Sequence, residues 1–287
     1  SLMLRPEEID EKVLELAYDD WLHEFFPRHI GPLSDYHREF WQWVWSIQDR
    51  QRPLPFVAIW PRGSGKSTDA ELSCAVVATR KTRHYALYTC ETQERADDHV
   101  ANIAGMLESP LLEQYYPGVT DRMLNKYGSV KGWRRNRLRT RSGFTVDAIG
   151  LDTAARGVKM DEQRPDFMVI DDIDKKLDSI TSTTNKMTTL TTSLLPAGTA
   201  DLAVLAVQNL IHENSIFSQL ADGRADFLYD RVVSGPHPAL KEFTYEERDG
   251  KFVITHGIPT WEGMTLEQCQ SMINTEGITS FLHERQH

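Results

Sequence analysis

Four short runs of apolar residues punctuate this chain, at 56–60, 85–89, 167–170 and 203–207, and each ends in polar or glycine-rich sequence. Runs of this length, bounded by turn residues, predict strands buried on both faces. Between them the apolar positions recur at helical spacing. Residues 7–26 mix charged and apolar positions in this way until the stretch from Pro27 to Pro32 breaks the pattern. Helices are predicted over 34–50, with Ser34 or Asp35 as N-cap, and over 66–80 and 92–107. Residues 137–149 read as a hairpin turning at Ser142-Gly143. A threonine-rich stretch from Thr181 to Thr192 is closed by Leu194-Leu195-Pro196. Strands alternating with helices predict an α/β fold with a mainly parallel sheet and helices on both faces.

The chain has 287 residues, 40% of them hydrophobic, enough for one large domain or one domain with a small appendage. The expected division is an N-terminal helical segment over 1–33, the main domain over 34–260 and a helical tail over 261–287. The formal net charge of -10 argues against a broad electrostatic surface for nucleic acid. Any DNA contact is expected from a local patch, or from several copies arranged around the duplex. The three cysteines, Cys74, Cys90 and Cys269, are far apart with no CxxC spacing, so neither a zinc site nor a disulfide framework is expected. A reducing cytoplasm is the natural setting. No apolar run approaches the roughly 18 residues needed to span a membrane, and no signal peptide is visible.

The strongest chemical signal is Trp60-Pro61-Arg62-Gly63-Ser64-Gly65-Lys66-Ser67-Thr68, where a strand runs into a glycine loop that opens a helix. Glycines let backbone N–H groups turn around a phosphate, and the helix N-terminus adds partial positive charge. Lys66 is placed to reach the β- and γ-phosphates of ATP, and the Ser67 hydroxyl to ligate magnesium. The full motif carries glycine where Trp60 stands, so this is a variant of the phosphate loop. The second signal is Phe167-Met168-Val169-Ile170-Asp171-Asp172, a buried strand that delivers carboxylates at its C-terminal end. That is where ligands bind in open α/β sheets. Asp171 would hold magnesium and Asp172 would orient the attacking water, with Asp174 as a competitor for the latter role.

Softer signals follow. Gln208, before Asn209 at the end of the fourth apolar run, is either a sensor of the γ-phosphate or a polar strand terminus. Arg156, beside Gly157, is a candidate arginine finger. Tyr36 and His37 are candidates to pack near the adenine, and the helix core accounts for Tyr36 equally well. The basic run Lys131, Arg134, Arg135, Arg137, Arg139 and Arg141 alternates from Arg135 onward, which on a strand gives one charged face. That face meets DNA phosphates, an acidic neighbouring subunit, or solvent alone. Trp41, Trp43 and Trp45 do not share one helix face, and no function is assigned to them.

In order along the chain, these segments resemble the large terminase subunit of tailed bacteriophages and prophages. The resemblance runs from Tyr36-His37-Arg38-Glu39-Phe40 through the phosphate loop, the strand from Tyr85 to Thr89 and the stretch from Gly150 to Arg156-Gly157. It continues with Arg164-Pro165-Asp166, Asp171-Asp172, Leu195-Pro196-Ala197-Gly198, Gln208 and Ile211-His212-Glu213, and ends in a tail from Gly257 to Gln286. It implies a P-loop ATPase motor that uses ATP and Mg2+ to pump double-stranded DNA into a procapsid in the host bacterial cytoplasm. The implied partners are a portal protein, a small terminase subunit and further copies of the chain in a ring. Three features depart from the family pattern. Asp171-Asp172 stands where many members have Asp-Glu, and Gln208-Asn209 where Gly-Thr is usual. The family's nuclease domain would follow residue 287, so no nuclease activity is expected of this chain. Two other functions stay open: a helicase-like remodelling ATPase, and a nucleotide-binding assembly switch with little hydrolysis.

Overall fold

The computed structural model describes residues 9–129, 135–157 and 163–286. Its strands are β1 (Phe56–Ile59), β2 (Tyr85–Cys90), β3 (Arg137–Arg139), β4 (Thr145–Gly150), β5 (Phe167–Asp171), β6 (Ala203–Gln208) and β7 (Val232–Ser234). They form one sheet in the order β3-β4-β2-β5-β6-β1-β7. Every neighbouring pair is parallel except β3 with β4. The four apolar runs are thus β1, β2, β5 and β6, buried at every residue. Gly143, with φ +91°, makes the turn between β3 and β4 that an L side chain resists.

Helices cover both faces, and the side-chain period of 2 sorts the strand residues between them. From β1, Phe56 and Ala58 point with Trp60 into one core, and Val57 and Ile59 into the other. The first core takes its helical share from Tyr18–Phe25, Asp35–Ser46, Lys66–Thr79 and Gln93–Leu107. Helix Lys66–Thr79 is buried from Asp69 to its end, so it runs through the interior rather than over it. Trp41 and Trp43 serve this core, Trp43 against Phe56. The second core receives Leu190 and Leu194 from the threonine-rich stretch and Ile216, Phe217 and Leu220 from helix Ile216–Asp222.

A third apolar cluster lies under a two-stranded hairpin, β8 (Leu240–Arg248) with β9 (Lys251–Pro259), and helices Leu266–Glu276 and Ile278–Arg285. The pattern of apolar positions predicted neither this hairpin nor β7. Most of the hairpin is exposed and charged, and β7 has three residues, too few for a period to register.

The sheet order sets the site. β5, β6 and β1 are adjacent and parallel, so their C-terminal ends open on one edge. Ile59 is level with Gln208, and Val207 with Asp171. The loop after β1 and the acids after β5 therefore stand at one height with a single strand between them.

Candidate nucleotide site

Gly63 (φ +85°) and Gly65 (φ +83°) are both left-handed, a conformation that turns the loop after β1 back on itself. Helix Lys66–Thr79 starts directly from Gly65 with no side-chain cap. Its leading N–H groups are thus left for a ligand, the arrangement that binds anions. Beside it lies an open cavity of about 470 Å³, lined by Arg62, Gly63, Gly65, Lys66, Ser67, Thr68, Arg95, Asp172, Asp174, Lys175, Lys176, Asn209, Ile211 and Glu284. Burial pulls the Lys66 pKa down, opposed by Asp171 and Asp172. Among the described residues its Nζ has only the Pro61 carbonyl as a hydrogen-bond partner, at 3.5 Å.

At the end of β5, Asp171 is fully buried. Its Oδ1 accepts from the Ser67 hydroxyl at 3.3 Å and its Oδ2 from the Tyr88 hydroxyl at 2.6 Å. His99 stacks on Tyr88 at 4.8 Å, with Nε2 3.5 Å from Asp171 Oδ2 and Nδ1 3.6 Å from Glu71 Oε1. Burial raises the Asp171 pKa, and His99 and Tyr88 act against it. Burial alone would lower the pKa of His99, but Glu71 and Asp171 outweigh it and the pKa is raised. The Ser67 hydroxyl and the Asp171 carboxylate are adjacent, hard oxygen donors. They fit a magnesium ion, which takes few protein ligands and completes its shell with water and phosphate.

Asp172 has φ +52°, and this turn aims its side chain into the cavity. There its Oδ2 meets Arg95 Nη1 at 2.6 Å. Asp174, the competitor, is committed elsewhere. Its buried carboxylate accepts from the N–H groups of Ile216 and Phe217 at 2.9 and 3.0 Å, capping helix Ile216–Asp222.

The structure thus brings Arg62, Gly63, Gly65, Lys66, Ser67, Thr68 and Asp172 to one cavity, with Asp171 beneath it. Five other candidates stand off its wall. Ser64 turns inward, and its carbonyl accepts from His37 Nε2 at 2.7 Å. His37 supports the loop from the interior and does not line the cavity. Its Nδ1 accepts from the Ser34 N–H at 3.1 Å, so Nε2 carries the proton, and burial lowers its pKa to about 4. Tyr36 is buried between Trp60 and His237, at 4.9 and 4.8 Å, and does not line the cavity. Gln208 is also buried. Its Oε1 accepts from the N–H groups of Ile173 and Asp174 at 3.0 and 3.1 Å, so it splints β6 to the loop after β5. Arg156 is exposed in the turn after helix Leu151–Ala154, away from the cavity.

The basic run is also not the single face that alternation predicts. The strand spans only Arg137–Arg139. Arg135 pairs with Asp98 at 2.7 Å, Arg137 with Asp147 and Arg141 with Asp121 at 2.9 Å. Lys131 and Arg134 lie outside the described residues.

Arg95, Lys175, Lys176 and Glu284 were not anticipated. Arg95 follows β2 at the ligand-binding edge, and Lys175-Lys176 follow the acids after β5, so position along the strands was a usable signal for all three. Glu284 had none, because it arrives from helix Ile278–Arg285. Its carbonyl accepts from the Arg62 N–H at 3.1 Å, and its carboxylate lies 3.1 Å from Asn209 Nδ2 and 3.8 Å from Arg62 Nη1.

No protein-family model matches this sequence, and no curated protein does. Among solved structures, a point mutant of the large terminase ATPase domain of Thermus phage P74-26 aligns over 94% of this chain and 98% of that one, with a TM-score of 0.56. This chain has the fold of a terminase ATPase domain. Identity over the alignment is 12%, so the likeness is one of architecture. A second structure of that phage domain covers 63% of this chain and 71% of its own at 16% identity, with a TM-score of 0.38. The terminase fold accounts for the mainly parallel sheet and for helices on both of its faces. No helix among the described residues is long and apolar enough to cross a membrane.

Proposed function

We propose that this chain is a magnesium-dependent ATPase that drives double-stranded DNA into a phage procapsid. The observation that carries the reading is the 3.3 Å contact between Ser67, on the phosphate loop, and Asp171, at the end of β5. A hydroxyl from the loop and a carboxylate from the strand, brought together across β6, supply the pair of hard oxygen donors that a magnesium–nucleotide site needs.

On this reading the N–H groups at the start of helix Lys66–Thr79 and the Lys66 ammonium hold the β- and γ-phosphates, and Arg62 adds charge at the rim. Magnesium, when bound by Ser67 and Asp171, would neutralise charge on the phosphate oxygens. Asp172 accepts a hydrogen bond from the attacking water and orients it. Phosphoryl transfer gains most of its rate from such positioning and electrostatics. The exposure of Arg156 suits a group supplied to the site of an adjacent copy in a ring. The portal protein, the small terminase subunit and DNA in the host cytoplasm are the proposed partners.

The test is phosphate release from Mg-ATP at several protein concentrations, with Lys66→Ala and Arg156→Ala beside the wild type. Turnover lost in Lys66→Ala, and a specific rate that rises with concentration only while Arg156 is present, are the expected results. A second reading, a nucleotide-binding assembly switch, draws on one observation: the Asp172 carboxylate is held by Arg95. A switch would bind ATP through Lys66 and release almost no phosphate, and Asp172→Glu would leave that unchanged.

A further inference from the structure

We infer that Arg95 is a catalytic cation of this site, supplied by the chain itself, which passes from Asp172 to the terminal phosphate when ATP binds. This rests on the ATPase reading and adds to it a residue outside the phosphate-loop motif.

The geometry begins with the sheet order. β2 lies beside β5, on the side away from β6 and β1. The segment after β2 therefore closes the cavity on the flank opposite the phosphate loop. Thr92 caps helix Gln93–Leu107, and Arg95 stands in its first turn with its guanidinium in the cavity wall. Among the described residues its one ion pair is with Asp172, at 2.6 Å. Whatever group Asp172 addresses is consequently within a carboxylate's length of Arg95.

Two features mark this pair as exchangeable. The side chains are 54% and 42% exposed, and ion pairs so wet contribute little to stability. A cation in the first turn of a helix also faces the positive end of the helix dipole. The pair is therefore poorly explained as a structural brace. A triphosphate carries more charge than one carboxylate, and its terminal oxygens offer a guanidinium the same two-pronged geometry. Arrival of ATP gives Arg95 a stronger partner and frees the Asp172 carboxylate to hold water. The exchange breaks no covalent bond and moves no proton. Lys66 and Arg95 then flank the transferring group from opposite sides.

The experiment uses the full chain with Arg95→Gln and Arg95→Lys. Turnover of Mg-ATP is measured together with the affinities for ADP and for an ATP analogue with a β,γ-imido bridge. For Arg95→Gln the expected results are turnover lower by about 10²-fold or more, in line with the weight of such arginines, and a preference for the triphosphate analogue over ADP that falls about tenfold. ADP affinity should stay within about twofold, and Arg95→Lys should recover part of the rate. An unchanged preference overturns the inference, as does turnover that stays the same or rises, the latter being the mark of an inhibitory clamp. If the wild type neither binds nor hydrolyses nucleotide, it is the ATPase reading that fails. Thermal melts of the variants, expected to match the wild type because Arg95 is exposed, guard against misfolding.

Discussion

Replacing His37 with glutamine should flatten the acid side of the stability profile. In the wild type this ring is buried and neutral beneath the phosphate loop, with Nδ1 accepting from Ser34 and Nε2 donating to Ser64. Burial is the main cause of its lowered pKa of about 4, and the hydrogen bond to Ser64 only partly offsets it. In the unfolded chain a histidine titrates near 6.5. Between the two values the unfolded chain binds a proton that the folded one does not. The stabilisation is therefore fully present above about pH 6.5 and is lost as the pH falls toward 4. Proton linkage with these two pKa values costs about 2 kcal/mol on going from pH 7 to pH 5, and about 3 kcal/mol by pH 4. Glutamine can still donate to Ser64 but does not titrate. Urea unfolding of both proteins at pH 7, 6 and 5 supplies the comparison. His37→Gln should start less stable, and the gap should narrow by about 2 kcal/mol at pH 5. His237, whose pKa is also lowered by burial, is present in both proteins and largely cancels. Equal losses in the two proteins between pH 7 and pH 5 would refute the argument.

Three further outcomes are expected. Trp60→Gly restores the glycine of the full phosphate-loop motif but empties a fully buried site between Tyr36, His37 and Phe40. It should cost about 3–5 kcal/mol in denaturant unfolding, and a loss below about 1 kcal/mol would contradict the packing argument. Asp174→Ala should lower stability by about 1–3 kcal/mol by uncapping helix Ile216–Asp222, whereas Asp172→Asn should reduce turnover and move stability by less than about 1 kcal/mol. The reverse pattern would exchange the roles of the two acids. Glu284→Gln removes a negative charge from the cavity wall beside Arg62 and should tighten nucleotide binding about two- to fivefold at low salt, with the gain fading at high salt. Titration of a fluorescent nucleotide at both salt levels checks this.

The central sheet was legible because a parallel strand buried on both faces has to be apolar throughout. The runs at 56–60, 85–89, 167–170 and 203–207 had no competing reading once helical periods were seen between them. The phosphate loop was legible for a related reason: two left-handed glycines before a lysine leave few other conformations. Roles that depend on rotamer and orientation were not legible. Tyr36, His37 and Gln208 occupy plausible places along the chain, but their side chains turn into the interior and hold the loops that line the cavity. Trp60 read as a departure from the full motif. In the fold it is the floor of the loop, and its indole N–H donates to Ser234 at 3.1 Å. β7 brings Ser234 to it from far along the chain, and no local pattern encodes that meeting.

Charge placement carries the argument one step further. The chain has a net charge of -10, yet Arg62, Lys66, Arg95, Lys175 and Lys176 all line one cavity. The acids on that wall are largely engaged: Asp172 with Arg95, Asp174 with two backbone N–H groups, and Glu284 with Asn209 and the edge of Arg62. Lys175 pairs with Glu91 at 2.7 Å, whereas Lys176 and Lys66 make no ion pair among the described residues. At physiological salt charges interact over about 8 Å, so the local balance of cations and acids on this wall counts for more at the cavity than the total charge of the chain. The arginines near β3 show the opposite arrangement, since Arg135, Arg137 and Arg141 each have an acidic neighbour in contact. On the proposed reading Lys66 and Lys176 are thus the cations on this wall left for a polyphosphate, whereas the arginines near β3 are already engaged.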